Sequence, residues 1–114
     1  YSKIKTAFQV EKGEKLCIVI ALGYGETQGL PHKSKSMEEV IQLDGPAPEW
    51  FQKGVEAALL APTAMNQQKF LFRLDKNRVS VKAGFGFYTK IDMGIVKYHF
   101  EIGAGKEHFQ WELS

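Results

Sequence analysis

PEWFQKGVEAALLAPTAMNQQKFLFRLDKNRVSVKA, residues 48–83, decides the fold. Its first part has helical periodicity. Phe51, Val55, Ala58 and Leu59 share one face, while Gln52, Lys53 and Glu56 face away. Pro48 suits the first turn of a helix and Pro62 cannot continue one, so the spacing predicts a helix from about residue 48 to about residue 61. Its last part reads as strand. Phe70-Leu71-Phe72-Arg73-Leu74 and Val79-Ser80-Val81-Lys82-Ala83 form a predicted pair around an Asp75-Lys76-Asn77 turn. Helix followed by hairpin points to a domain of the α+β or α/β class.

The rest of the chain extends this pattern in both directions. Residues 15–22 form a short, nearly continuous apolar run between a Lys12-Gly13-Glu14 turn and Gly23, which predicts a strand buried on both faces near the centre of a sheet. Cys17 lies in that run and is expected to be a small core residue. Residues 23–35 read as a loop with three glycines and Pro31. Ser36-Met37-Glu38-Glu39 is a capping box that opens a short helix through Leu43, and Asp44-Gly45-Pro46 breaks it. After a loop at residues 84–88, Asp92 is placed to cap a third helix that reaches residue 101 or 102. Met93, Ile95, Val96, Tyr98, Phe100 and Ile102 cover most of its circumference, so burial against more than one partner is expected. Gly103 and Gly105 supply its stop, and residues 108–113 read as a final edge strand.

At 114 residues the chain is the size of one domain, and no linker or repeat divides residues 1–114. Its 44% hydrophobic and 25% charged residues exclude a disordered chain. A formal charge of +2 gives no support for a nucleic-acid partner. No apolar stretch approaches the roughly 18 residues of a membrane span, so no membrane partner is expected. One cysteine permits no internal disulfide, which fits a cytoplasmic location. The first residue is Tyr1 rather than Met, and the expectation is a segment of a longer protein. His32, His99 and His108 lack metal-ligand spacing, and no nucleophile–base set or acid/base dyad emerges, so the catalytic residues are left unassigned. Gly23-Tyr24-Gly25-Glu26-Thr27-Gln28-Gly29 misses the dinucleotide fingerprint, because its third glycine is one place late and Pro31 interrupts any following helix.

Two stretches carry binding chemistry. Lys33 and Lys35, at i and i+2 on an extended segment, point the same way and can converge on one anion. A solvated loop is the plain alternative. Ala61-Pro62-Thr63-Ala64-Met65-Asn66-Gln67-Gln68 combines small residues, which let a flat ligand approach the backbone, with the hydrogen-bonding side chains of Thr63 and Asn66. A turn that satisfies its own helix carbonyls would look the same.

Ala57-Ala58-Leu59-Leu60-Ala61-Pro62-Thr63-Ala64-Met65-Asn66-Gln67-Gln68 resembles the nitroreductase family of flavin-dependent oxidoreductases, in which a helix ends in Ala-Ala-x-x-Ala-Pro-Ser-x-x-Asn-x-Gln before a strand. Thr63 replaces the family's Ser, and Lys69 stands where Pro is common. The run from Ile18 to Gly25, the Lys33/Lys35 pair with Glu38-Glu39-Val40, and Ile91-Asp92-Met93-Gly94-Ile95-Val96 resemble further family segments. Their order is inverted relative to a single-copy member, which implies the C-terminal half of a tandem or rearranged nitroreductase. The resemblance implies an α+β fold with a central, mainly antiparallel sheet flanked by helices, as a partial or half copy. It also implies FMN as cofactor, NAD(P)H as electron donor and a nitro, quinone or similar small-molecule acceptor. Carried over, Lys33 and Lys35 would contact the FMN phosphate, and Pro62, Thr63, Ala64 and Asn66 would line the flavin. The family's N-terminal Arg-x-Ser element has no counterpart here, since the one Arg-x-Ser in the sequence, Arg78-Val79-Ser80, lies in the predicted hairpin, so another half or a second subunit, as in a homodimer, would complete the site. The alternative is a non-catalytic half that serves dimerisation or scaffolding.

Overall fold

A computed structural model describes residues 7–86 and 88–112, and the chain divides into two units, Tyr1–Leu30 and Pro31–Ser114. Phe87 and Leu113, in the predicted loop and at the end of the predicted last strand, lie outside the described residues.

In the first unit the predicted central strand is absent. Residues 15–22 join no sheet, and Ile18, Ile20 and Leu22 are 74%, 80% and 100% exposed. Cys17 is exposed as well, so the expected core cysteine is not one. An apolar run favours burial, yet it becomes a strand only when a neighbouring strand takes up its backbone donors and acceptors. None among the described residues does so here.

The second unit is α+β. α1 (Met37–Val40) leads into β1 (Ile41–Gln42), then α2 (Glu49–Leu59), β2 (Phe70–Asp75), β3 (Arg78–Ala83), α3 (Thr89–Ala104) and β4 (Gln110–Trp111), with 3-10 turns at Ala64–Asn66 and Lys106–His108. The sheet is mixed, in order β1-β2-β3-β4. Its body is the predicted hairpin, paired antiparallel from Phe70↔Ala83 to Asp75↔Arg78. Two-residue edge strands run parallel to it on either side. Sequence reading carried the first helix to Leu43. It stops at Val40, because Ile41 and Gln42 pair with Phe72 and Arg73 instead. The Ser36 backbone N–H donates to the Glu39 carboxylate at 2.8 Å, as the capping box requires. α2 falls within the predicted span, with Phe51, Val55, Ala58 and Leu59 all buried.

Lys76 opens the hairpin turn at φ +58, a left-handed conformation that costs a side-chain-bearing residue roughly 1–2 kcal/mol. Glycine would remove that cost and add about 0.5–1 kcal/mol of backbone entropy. Lys76→Gly should therefore raise stability by about 0.5 kcal/mol, visible as a thermal midpoint a few degrees higher. A lower midpoint would show that the turn is not strained.

The core is aromatic. Phe51, Phe72 and Phe100 are fully buried. Phe100 stacks on Phe72 with centroids 4.8 Å apart, and meets Phe51 and Phe109 edge-on at 5.8 and 5.1 Å. α2 and α3 cross closely because glycines meet at the crossing. A Cβ added to Gly54 would lie 2.6 Å from the Phe100 ring, and one on Gly103 would strike the Lys53 carbonyl. Gly103 is thus a packing residue inside α3 rather than its stop. The stop is Gly105, at φ +84, whose N–H reaches the Glu101 carbonyl.

Candidate functional site

The turn between α2 and β2 is built under tension. Ala61 follows the helix and is buried, and Thr63 is extended. Met65, Asn66 and Gln68 then adopt φ values of +52, +53 and +46. Three side-chain-bearing residues in the left-handed region within four positions cost on the order of 1–2 kcal/mol each, so the surroundings must hold them.

Two sets of hydrogen bonds do so. The first comes from the turn itself and from the segment that carries the lysines. The Thr63 hydroxyl oxygen accepts the Gln68 N–H at 3.0 Å. The Gln68 side chain, 3% exposed, donates to the Lys33 carbonyl at 2.8 Å and to the Asn66 side-chain oxygen at 2.9 Å, and accepts the Lys35 N–H at 3.0 Å. Asn66 Nδ2 also donates to the Lys33 carbonyl, at 3.0 Å. Earlier in the segment, His32 Nε2 and Ser34 Oγ both donate to the Leu59 carbonyl, one of the orphan acceptors at the end of α2.

The second set comes from α3. The Asp92 carboxylate accepts the Ala64 N–H at 3.0 and 3.2 Å and the Gln67 amide at 2.7 Å. The sequence suggested that Asp92 caps α3. It lies instead within the first turn, 4% exposed, and Tyr88 takes the cap position. The third helix is also less enclosed than expected. Val96, Phe100 and Ala104 are buried, but Ile91, Tyr98 and Ile102 are exposed.

The structure therefore brings together all six residues that the sequence singled out. The backbone of Lys33 and Lys35 is hydrogen-bonded to the turn that holds Pro62, Thr63, Ala64 and Asn66. Both lysine side chains are exposed and form no ion pair among the described residues. Both ends of the Asn66 amide are engaged within the site, so its visible role is to shape the turn. Gln68, Gln67 and Asp92 were not selected from the sequence. Gln67 and Gln68 lay inside the quoted motif, whereas nothing local linked Asp92 to it.

The family model described as "Putative TM nitroreductase" matches residues 1–104. The chain belongs to this nitroreductase family. The match runs through the glycine-containing loop and the Ala57–Gln68 motif in the order they have here, so the inverted order sits inside a single family match. No curated protein and no solved structure matches the chain. Among the described residues no helix is long and apolar enough to cross a membrane.

Proposed function

We propose that this nitroreductase-family chain contributes to an FMN-dependent, NAD(P)H-using oxidoreductase site. The supporting observation is the junction of the lysine segment with the strained turn, held by Gln68 and Asn66. Two features support this reading: Lys33 and Lys35 carry exposed ammonium groups of the kind that bind a phosphate, and the neighbouring Thr63 and Ala64 have small side chains of the kind that let a ring lie against the backbone. Bound FMN would supply two-electron redox chemistry, passing hydride from NAD(P)H to a nitro, quinone or similar acceptor. The chain's own residues bind and orient. The lysines neutralise the phosphate, Gln68 ties their backbone to the turn, and Asp92 fixes where Ala64 presents itself. No side-chain acid/base dyad is required, because the protein's task is positioning and electrostatics. Without the family's N-terminal Arg-x-Ser element, part of the site is left to another half or a second subunit, and a single cysteine fits a cytoplasmic setting.

The test compares FMN with riboflavin, which lacks the phosphate, in titrations followed by flavin fluorescence. FMN should bind more tightly. Lys33→Ala with Lys35→Ala should weaken FMN by about thirtyfold, from roughly 1 kcal/mol per exposed ammonium, and leave riboflavin unchanged. Equal affinity for the two flavins in the unaltered chain would refute the phosphate assignment. Absence of any flavin binding would favour the non-catalytic alternative.

A further inference from the structure

The C-terminal end of β2 opens into a cleft of about 660 Å³, at the other end of the strand from the candidate site's turn. Its floor is set by strand register. Gln42 of β1 and Ser80 of β3 flank Arg73 of β2, so an amide, a guanidinium and a hydroxyl stand side by side across three strands, with about 4.8 Å from strand to strand. Asp75 lies two residues beyond Arg73 on the same face, which is about 6.6 Å along a strand. Asp44 follows Gln42 in the loop after β1. Glu112 follows β4, where its N–H donates to the Val79 carbonyl at 2.8 Å. Pro46 and Pro48 give the cleft an apolar wall. Arg73, Asp44, Asp75 and Glu112 are all exposed, and none of their side chains forms a hydrogen bond or ion pair among the described residues.

We infer that this cleft binds a basic α-amino acid, with the ligand's carboxylate on Arg73 and its side-chain cation among the acidic residues. A guanidinium offers two parallel donors to a carboxylate, and Ser80 and Gln42 can add one each. Charge selects the ligand. Two cations, Arg73 and Lys76, and three carboxylates line the cleft. A ligand with one carboxylate and two cations brings the total to zero. A simple anion would add to the negative excess, and a simple cation would leave Arg73 unmatched. Among the described residues no three carboxylates or imidazoles converge closely enough to hold a metal ion, so the acidic groups suit a spread organic cation instead. Spacing then selects among amino acids. The step from Arg73 to Asp75 is too long for an α-ammonium, which sits directly beside its own carboxylate. It suits a cation at the end of a four-carbon side chain, whose methylenes can lie along Pro46 and Pro48. Glu112, one residue past the Val79–Trp111 pair and so beside Ser80, is left for the α-ammonium. None of these residues belongs to the proposed flavin site, and the ligand is tested without flavin.

The experiment is a titration of the ¹⁵N-labelled chain with L-lysine, followed by amide chemical shifts. Ionic strength is held constant, because salt screens exposed charges. The amides of residues 42–46, 73–76, 80 and 112 should move together and saturate with a Kd on the order of 1 mM, since contacts between exposed charges are individually weak. Two lysine analogues read the two ends. Norleucine lacks the side-chain cation and 1,5-diaminopentane lacks the carboxylate, and each should bind about tenfold more weakly, the loss of one charged contact. Arg73→Gln should weaken lysine by a similar factor and leave 1,5-diaminopentane unchanged. Asp44→Asn, in the loop outside helix and strand, should weaken lysine and leave norleucine unchanged, and it keeps the test valid if Arg73→Gln does not fold. An absence of saturating shifts up to about 50 mM lysine, far above the expected Kd, overturns the inference. So do equal affinities for lysine and 1,5-diaminopentane, which would mean a diffuse acidic surface. Shifts centred outside the cleft, or a lysine affinity indifferent to both substitutions, overturn it as well.

Discussion

Phe100→Ala should come close to unfolding the domain. The ring is fully buried and touches both layers, stacked on Phe72 from the sheet, edge-on to Phe51 from α2, and against Phe109 and Trp111 from the end of the chain. Removing a phenyl ring from such a position costs about 3–5 kcal/mol, part lost transfer free energy and part the cavity left behind. A domain of this size has roughly 5–15 kcal/mol in total, so the folded-to-unfolded ratio falls by about two to four orders of magnitude and the thermal midpoint by more than 10 °C. Gly54 supplies an internal check. Its missing Cβ would lie 2.6 Å from the Phe100 ring and 2.9 Å from the Ala104 Cβ, so Gly54→Ala alone should destabilise by overpacking, despite alanine's better helix propensity. Once the ring is gone, the same methyl group enters part of the void. The double substitution should then be less damaging than the two effects added. Urea unfolding of the four chains measures this directly. A loss below about 1 kcal/mol for Phe100→Ala would mean that the aromatic cluster is not the centre of the fold.

Elements governed by their own periodicity were legible in the sequence. α2 announces itself through one apolar face between two prolines, and the hairpin through paired runs around a turn. Elements that depend on distant partners were not. Residues 15–22 have the composition of a buried strand, but composition does not state which strand will pair with them. Ile41 and Gln42 leave the first helix because Phe72 and Arg73 offer hydrogen bonds across 31 residues of sequence. Gly103 reads locally as a helix stop and is a contact between helices, since the same missing Cβ serves either purpose.

The candidate site divides along the same line. Its residue types were visible, and the family resemblance selected Lys33, Lys35, Pro62, Thr63, Ala64 and Asn66. What joins them was hidden. The bonds from Gln68 and Asn66 to Lys33 span 35 and 33 positions, and those from Asp92 to Ala64 and Gln67 span 28 and 25. An aspartate at the start of a helix has an ordinary local explanation as a cap, and that explanation conceals a long-range one. The positive φ values were equally hidden, because Met65, Asn66 and Gln68 are not glycines and only the bonds around them account for their conformations.

Asp92→Ala should release that tension. The carboxylate is buried and holds two donors, the Ala64 N–H and the Gln67 amide. Hydrogen bonds to charged groups contribute about 1.5–3 kcal/mol each, and the donors left behind lose part of their satisfaction. Since Ala64 and Gln67 are half-buried, water recovers some of this, and the expected loss is about 2–4 kcal/mol. The effect should also be local. With its α3 anchor gone, the left-handed run at Met65 and Asn66 relaxes toward cheaper conformations. The amides of residues 63–68 should then exchange with deuterium at least tenfold faster, while the hairpin amides keep their protection relative to global unfolding. Asp92→Asn separates anchoring from mere bulk. Its one side-chain oxygen can accept from Ala64 or from Gln67, and its amide then meets a donor at the other contact. Stability and exchange should therefore rank Asp, Asn, Ala. If the alanine variant lost less than about 1 kcal/mol and its turn stayed protected, the turn would be held by Gln68 and Thr63 alone, and Asp92 would have no part in placing Ala64.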